Sequence, residues 1–297
     1  MNRAAAGAVR GIGNRILVFG HMIRFSHSVF ALPFALAGVL FAAHVRGSFP
    51  GLSTWVWVVV AMVAARSAAM AWNRIADAGF DAANPRTRDR AIPRGALGVR
   101  AAWVFTALAA VLFVVATWRL NPVAFALSPL ALAIVGLYSL TKRFTRATHF
   151  FLGLSLAVAP VGGWVAVTGR LDLAPFALAL GVLAWVAGFD IFYALQDLDF
   201  DRESGLRSLP GRFGIEAAFR SARACHIVAV AALASLAWLL DLSPWYLAGV
   251  ALVGVLLLRE HRMVSPNDLR RLDKAFFDMN ATVGIVYLGA SAAGVLF

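Results

Sequence analysis

Cysteine is almost missing from this chain: one occurs in 297 residues. Cys225 has no partner within the chain, which excludes an internal disulfide and any metal site built on paired thiolates; a small buried apolar residue is the role that suits it. Charge is scarce as well, at 14% of residues, where globular proteins carry about 25%. Acids are the rarer sign, 15 against 27 Lys and Arg, so an acid in apolar surroundings asks for a reason. The opening stretch, "MNRAAAGAVRGIGNRILVFGHMIRFSHS", lacks a clean apolar core before a cleavage site. No removable signal peptide is expected there, and residues 1–20 read as a flexible or amphipathic N-terminus.

What the chain has in abundance is apolar sequence: 61% of residues are hydrophobic and the mean hydropathy is +0.78. The length would allow two soluble domains, but the apolar runs leave no room for a separate one, and a single unit over 1–297 is expected. Hydropathy divides the chain into nine spans, at roughly 27–43, 53–76, 98–117, 122–140, 149–168, 173–195, 222–240, 243–258 and 277–296. The expected fold class is therefore an all-α membrane protein with nine transmembrane helices.

The net charge of +12 suggests nucleic acid until its distribution is read. Alternate connections, taken with the span ends beside them (the N-terminus, 74–100, 141–148, 201–223 and 259–274), hold 23 of the 27 Lys and Arg residues; the opposite connections hold only Arg46, Arg119 and Arg170, and Arg66 falls deeper inside a span. Cytoplasmic loops carry the excess of basic residues. The N-terminus is expected inside and the C-terminus outside. The charge is topology, not a nucleic-acid patch.

Two spans end on the cytoplasmic side in stripes of acids. In "AWNRIADAGFD" (71–81), Asn73, Asp77 and Asp81 follow one another at four-residue spacing, so on a helix they drift only about 40° per step. In "GFDIFYALQDLDFDRESGLRSLPG" (188–211), Asp190, Asp197 and Asp201 share a face, while Asp199 points the other way. Charges removed from water within a membrane are functional candidates by default. The second stripe also resembles the start of a calcium loop, but Arg202 and Ser208 stand where an EF-hand needs Gly and Glu.

Oxygen ligands without Cys or His suit a hard cation such as Mg²⁺, which is commonly held by one or two carboxylates together with substrate phosphates. Bases lie nearby on the same side: Lys142 and Arg143 in "YSLTKRFT" (138–145), Arg90 in "PRTRDRAIPRG" (85–95), and Arg207. Acids and bases at one membrane face point to a site for a metal–diphosphate ester. Solvated ion pairs would explain one stripe but are a poor account of two beside a basic cluster. Arg66 lies seven residues before Asn73 on the same stripe, deeper in the bilayer. It needs an anion: an acid such as Asp77 or Asp190, or a substrate carboxylate held in a bidentate clamp. Arg24 and His27, at the mouth of the first span, are further candidates for that contact. An ion-coupled transporter is the rival from another class, though it would more naturally carry its acids mid-span in broken helices.

These stretches, with "IRFSHSVFALPFALAG" near the start, resemble the UbiA superfamily of intramembrane prenyltransferases over nearly the whole chain, in particular its 4-hydroxybenzoate polyprenyltransferase branch and menaquinone-pathway relatives. The resemblance implies helices around a central cavity open sideways to lipid, with a cytoplasmic cap. It also implies Mg²⁺-dependent transfer of a polyprenyl group from its diphosphate to an aromatic acid in ubiquinone or menaquinone synthesis. Asn73, Asp77 and Asp81 match the first motif and Asp197 and Asp201 the second, as metal and diphosphate ligands. Lys142, Arg90, Arg143 and Arg207 are the expected diphosphate contacts. Arg66, Arg24 and His27 are expected at the acceptor, and Asp190 and Tyr193 are expected to orient the phenol or take its proton. The chain departs from the family pattern at Arg74, where many members have Asp, and at Arg90-Ala91-Ile92-Pro93 in place of Arg-Pro-Leu-Pro. Arg74 reads as a solvated cytoplasmic charge. The acceptor stays open between 4-hydroxybenzoate and 1,4-dihydroxy-6-naphthoate, since both offer a phenol and a carboxylate.

Overall fold

The computed structural model describes Gly20, Met22, residues 31–265, Leu269, Leu272 and residues 278–297 of the chain. The described residues are overwhelmingly helical: α1 (Leu32–Arg46), α2 (Leu52–Ala76), α3 (Ala78–Ala83), α4 (Val99–Leu120), α5 (Pro122–Thr141), α6 (Thr148–Thr168), α7 (Leu173–Tyr193), a 3₁₀ turn (Ala194–Asp197), α8 (Leu198–Glu203), α9 (Leu209–Leu239), α10 (Pro244–Met263) and α11 (Asn280–Leu296). Among the described residues six stretches are long and apolar enough to cross a membrane: α2, α4, α5, α6, α7 with its continuation to Glu203, and α9. The other three segments expected to span correspond to α1 and α11, which are shorter, and to α10, whose last turns carry Arg259, Glu260 and Arg262.

Local chemistry sets several of the helix starts. Pro122 and Pro244 open α5 and α10, where a missing N–H costs nothing. Asn121 caps α5 by accepting from the Ala124 N–H at 2.9 Å, and its amide donates to the Val165 carbonyl of α6 at 2.7 Å. Ser208 caps α9 by accepting from Gly211 N–H at 3.2 Å. Within α9, Gly214 takes φ 81°, a left-handed kink that sets off the first turns from the long straight remainder.

The long helices close a ring in the order α1, α2, α4, α5, α6, α7, α9, α10, α11 and back to α1, and α1 also packs across the ring against α6. That crossing is close. A Cβ on Gly38 would sit 2.2 Å from the Pro160 carbonyl oxygen, and one on Gly163 would sit 2.1 Å from that of Ala35. Only glycine lets the two backbones meet so nearly, which is how helices gain contact where lipid offers no hydrophobic drive.

The α1–α6 pair divides the ring into two unlike halves. On the α7–α9–α10–α11 side the space is filled by a core that includes Phe34, Phe41, Trp164, Trp185, Tyr246 and Tyr287. Phe34 lies 4.9 Å from Trp185 and 5.0 Å from Tyr287, ring centre to ring centre. The buried hydroxyls there are satisfied: Tyr246 Oη lies 2.9 Å from Tyr287 Oη and 2.8 Å from the Leu233 carbonyl oxygen. On the α2–α4–α5 side the ring is hollow.

Candidate active site

Both acidic stripes are built with the same backbone device. At Asp77 the chain leaves α2 with φ −95° and ψ 5°, then enters the six-residue helix α3. At Asp197 it leaves the 3₁₀ turn with φ −106° and ψ 12°, then enters the six-residue helix α8. The four-residue chain of backbone hydrogen bonds survives the first bend, from Asp77 N–H to the Asn73 carbonyl at 2.9 Å and from Asp81 N–H to that of Asp77 at 2.8 Å. The two bent ends bring Asn73, Asp77, Asp81, Asp190, Tyr193, Asp197 and Asp201 around one polar cavity of about 150 Å³. Asp199 points outward and is exposed.

Each motif carboxylate in this cavity has its own cation. Asp77 Oδ1 lies 3.5 Å from Arg143 Nη2, Asp81 Oδ1 2.6 Å from Arg90 Nη1, and Asp201 Oδ2 3.5 Å from Lys142 Nζ. Asp197 is gripped by Arg86, whose Nε lies 2.8 Å from Oδ1 while its Nη2 bonds Oδ2. Asn84 donates to the same Oδ1 at 3.1 Å, and Arg86 Nη1 reaches the Tyr193 hydroxyl at 2.9 Å. The loop after the first stripe is thus tied to the second. Burial would lower the Arg86 pKa, but its bonds to Asp197 and Tyr193 hold it above the ordinary guanidinium value. Burial, with the Asp81 charge beside it, pushes the Asp77 carboxyl above the usual carboxylate range.

An apolar cavity of about 380 Å³ lies next to the polar one, walled by α1, α2, α4, α5 and α6 with Phe176 and Ala179 of α7. Asn73 and Tyr138 line both, so the two spaces meet at those residues. Arg66 is the one charged residue of the apolar wall among the described residues. Its Nε is buried without a hydrogen-bond partner, and it pairs with neither Asp77 nor Asp190. The intramolecular salt bridge weighed from sequence is absent among the described residues.

The structure departs from several other expectations. Arg207 does not reach the cavity; its backbone N–H and Nη1 bond the carbonyls of Lys142 and Phe144, each at 2.7 Å, so it fastens the end of α5 instead. Arg74 is not solvated but 7% exposed, beside Asn73 in the cavity wall, with its Nη1 3.4 Å from Asn73 Oδ1. The second stripe is not a continuous helix, because the 3₁₀ turn interrupts it. Arg24 and His27 lie outside the described residues. Sequence reasoning passed over Asn84, Arg86, Tyr138 and His149. Arg86 is one of five similar bases in 86–100, and nothing in residues 138–145 sets Tyr138 apart from its neighbours. His149 had no ligand spacing to mark it; its partner, Asp190, is 41 residues away, with His149 Nδ1 2.7 Å from Asp190 Oδ2.

The donors present fit a hard divalent cation such as Mg²⁺. All are oxygens, and Asp81 Oδ2 is buried without a hydrogen-bond partner, an acceptor lacking its complement. Among the described residues no three His, Cys, Asp or Glu groups converge to cage an ion by themselves.

Known proteins resemble this chain over most of its length. The model of the UbiA prenyltransferase family matches residues 31–282. A 4-hydroxybenzoate octaprenyltransferase of Thiobacillus denitrificans is 31% identical over 229 residues, 76% of each chain. The apo structure of a UbiA homolog from Aeropyrum pernix K1 matches with a TM-score of 0.81 at 33% identity, covering 90% of this chain and 97% of its own. A UbiA homolog from Archaeoglobus fulgidus bound to GPP and Mg²⁺ shares the fold, with a TM-score of 0.65 at 18% identity over 94% of this chain and all of its own. With its apolar helices and a family match over most of its length, this chain is an integral membrane enzyme of the UbiA prenyltransferase family.

Proposed function

We propose that the protein transfers a polyprenyl group from its diphosphate to 4-hydroxybenzoate, as an aryl prenylation step of quinone synthesis, with Mg²⁺ as cofactor. The observation that carries this reading is the junction of the two cavities at Asn73 and Tyr138: charged groups on one side, and on the other an apolar hollow in which Arg66, alone in charge among the described residues, has a buried Nε without a hydrogen-bond partner. A prenyl diphosphate has that same division of charged head and apolar tail. The acceptor's carboxylate has a partner in Arg66. The polyprenyl acceptor named for the Thiobacillus denitrificans relative supports the choice of acid.

Asp77, Asp81, Asp197 and Asp201, with Asn73, are the proposed metal and diphosphate ligands, and Lys142, Arg90, Arg143 and Arg86 are the proposed charge partners of the diphosphate oxygens. Bound Mg²⁺ supplies neutralisation of the leaving group's charge in a low-dielectric site. The allylic C–O bond breaks with its electron pair going to the diphosphate. The apolar wall keeps water from the allylic carbon. Arg66 holds the carboxylate and so orients the ring, whose carbon beside the phenol forms the new C–C bond. Asp190 takes the proton that this carbon releases, and Tyr193 and Tyr138 border its position. The basic bias of the loops supports an orientation with the acids toward the cytoplasm of a bacterial plasma membrane.

Purified protein incubated with labelled polyprenyl diphosphate and 4-hydroxybenzoate should give a prenylated acid and free diphosphate only when Mg²⁺ is present. Product with 1,4-dihydroxy-6-naphthoate alone would transfer the assignment to that acceptor. No product with either acid would overturn the reading.

A further inference from the structure

We propose that His149 is a positioning residue for prenyl transfer: it fixes the direction of the Asp190 carboxylate through a tautomer imposed by the backbone of α9. The inference rests on the function proposed above, in which Asp190 receives the ring proton.

His149, near the start of α6, is fully buried. Its two ring nitrogens face two different elements. Nε2 lies 3.4 Å from the backbone nitrogen of Leu209, the first residue of α9. A backbone N–H can only donate, so Nε2 must be the accepting, unprotonated nitrogen. The neutral ring then carries its proton on Nδ1, which stands 2.7 Å from Asp190 Oδ2 at the end of α7. An imidazolium would turn an N–H toward the Leu209 N–H, donor against donor. The contact with α9 thus selects the tautomer that donates to Asp190.

The consequence falls on Asp190. One oxygen is held by a buried donor, while Oδ1 makes no hydrogen bond among the described residues, and the residue lines the polar cavity. A carboxylate fixed at one oxygen presents the other in a set direction, as partner hydrogen bonds orient catalytic groups elsewhere. In the transfer step the C–O bond to diphosphate breaks, the C–C bond to the ring forms, and the proton of that ring carbon passes to Asp190 Oδ1 as aromaticity returns. The same ring ties α6, α7 and α9 together, so the α9 start that follows the second acidic stripe is linked to the base.

Two substitutions separate the bonds. In His149→Asn the amide nitrogen replaces Nδ1 and keeps the donor to Asp190, while the acceptor for Leu209 is lost. In His149→Gln the amide oxygen replaces Nε2 and keeps that acceptor, while the donor to Asp190 is lost. Steady-state kinetics of full-length protein with polyprenyl diphosphate, 4-hydroxybenzoate and Mg²⁺ should show kcat of His149→Gln reduced about 10- to 100-fold with both KM values nearly unchanged, within the range a misdirected base costs. His149→Asn should keep kcat within a few-fold of the wild type. Equal losses in both, or the greater loss in His149→Asn, would show a structural tie alone and overturn the proposal. The ¹⁵N spectrum of histidine-labelled wild type gives a readout free of activity: an Nδ1–H tautomer for His149 supports the proposal, and an Nε2–H tautomer or an imidazolium refutes it. Wild type that transfers no prenyl group to either acid would defeat the functional reading instead, and the nitrogen spectrum would still decide the His149–Asp190 geometry.

Discussion

Replacing Arg66 with Met should separate function from stability with opposite signs. Arg66 is the lone charged residue of the apolar cavity wall among the described residues, and its Nε is buried without a partner. In the free protein that guanidinium bears a desolvation cost with no ion pair among the described residues to offset it. Met has a similar length and no charge, so the variant should melt at the same temperature as the wild type or higher. In the complex, a charge-assisted bond to the acceptor carboxylate contributes about 1.5–3 kcal/mol. Its loss should lower kcat/KM for 4-hydroxybenzoate about 10- to 150-fold, at roughly 1.4 kcal/mol per factor of ten. KM for the polyprenyl diphosphate should hardly move. The assay is prenyl transfer at varied acceptor, beside thermal unfolding of the same preparations in detergent. Phenol, which lacks the carboxylate, should be used about equally by the two proteins. A variant that melts well below the wild type with an unchanged acceptor KM would make Arg66 a structural residue and refute the clamp.

The remaining predictions test the polar cavity and the helix crossing. Asp77→Ala and Asp197→Ala should each abolish turnover while the protein still inserts into membranes, measured by labelled product and by membrane fractionation; a chelator should do the same to the wild type. Arg86→Lys keeps the charge but cannot bridge both Asp197 oxygens and the Tyr193 hydroxyl, so KM for the diphosphate should rise about tenfold, the worth of one charged hydrogen bond. Gly163→Ala drives a methyl toward the Ala35 carbonyl and should cost about 1–3 kcal/mol in unfolding, whereas Gly162→Ala, with nothing within 4 Å, should be nearly neutral. Mg²⁺ and a non-hydrolysable prenyl diphosphate should each bind more tightly in the other's presence, by the same factor in both directions, as titration calorimetry would show.

How much of this was legible in the sequence differs from residue to residue. The hydropathy runs located helices, and six of the nine expected spans are long and apolar enough to cross a membrane among the described residues. The four-residue spacing of Asn73, Asp77 and Asp81 was sufficient to bring them to one cavity, since a bend at Asp77 leaves the local hydrogen bonds intact. The second stripe was read as a continuous helix and is not, yet Asp197 and Asp201 still reach the cavity because their spacing is kept within α8 and its first residue's neighbour. Pairing was the illegible part. Nothing in "PRTRDRAIPRG" marks Arg86 for Asp197 and Arg90 for Asp81; the choice depends on how the loop after α3 lies across the second stripe. Arg74 and Arg207 show the same limit in reverse, one buried where solvent was expected and one diverted to backbone carbonyls. The transporter alternative fails on family membership, and its acids would have been mid-span.

The ion pairs themselves invite the bland explanation, that acids and bases at helix ends merely neutralise one another. Their position argues otherwise. Exposed pairs add little stability and buried ones often less than an apolar replacement would, so five carboxylates and five cations around one hollow are a poor way to hold helices together. Their balance is informative instead. Asp77, Asp81, Asp190, Asp197 and Asp201 face Arg74, Arg86, Arg90, Lys142 and Arg143, which leaves the cavity formally neutral. A diphosphate entering alone would meet the five acids, and a divalent cation entering alone would meet the five bases. Entering together they would preserve the balance, the carboxylates being available to the metal and the bases to the phosphate oxygens. A wall of one sign would bind one partner and repel the other; a mixed wall would favour both at once, and this one lies at the junction where the apolar cavity begins.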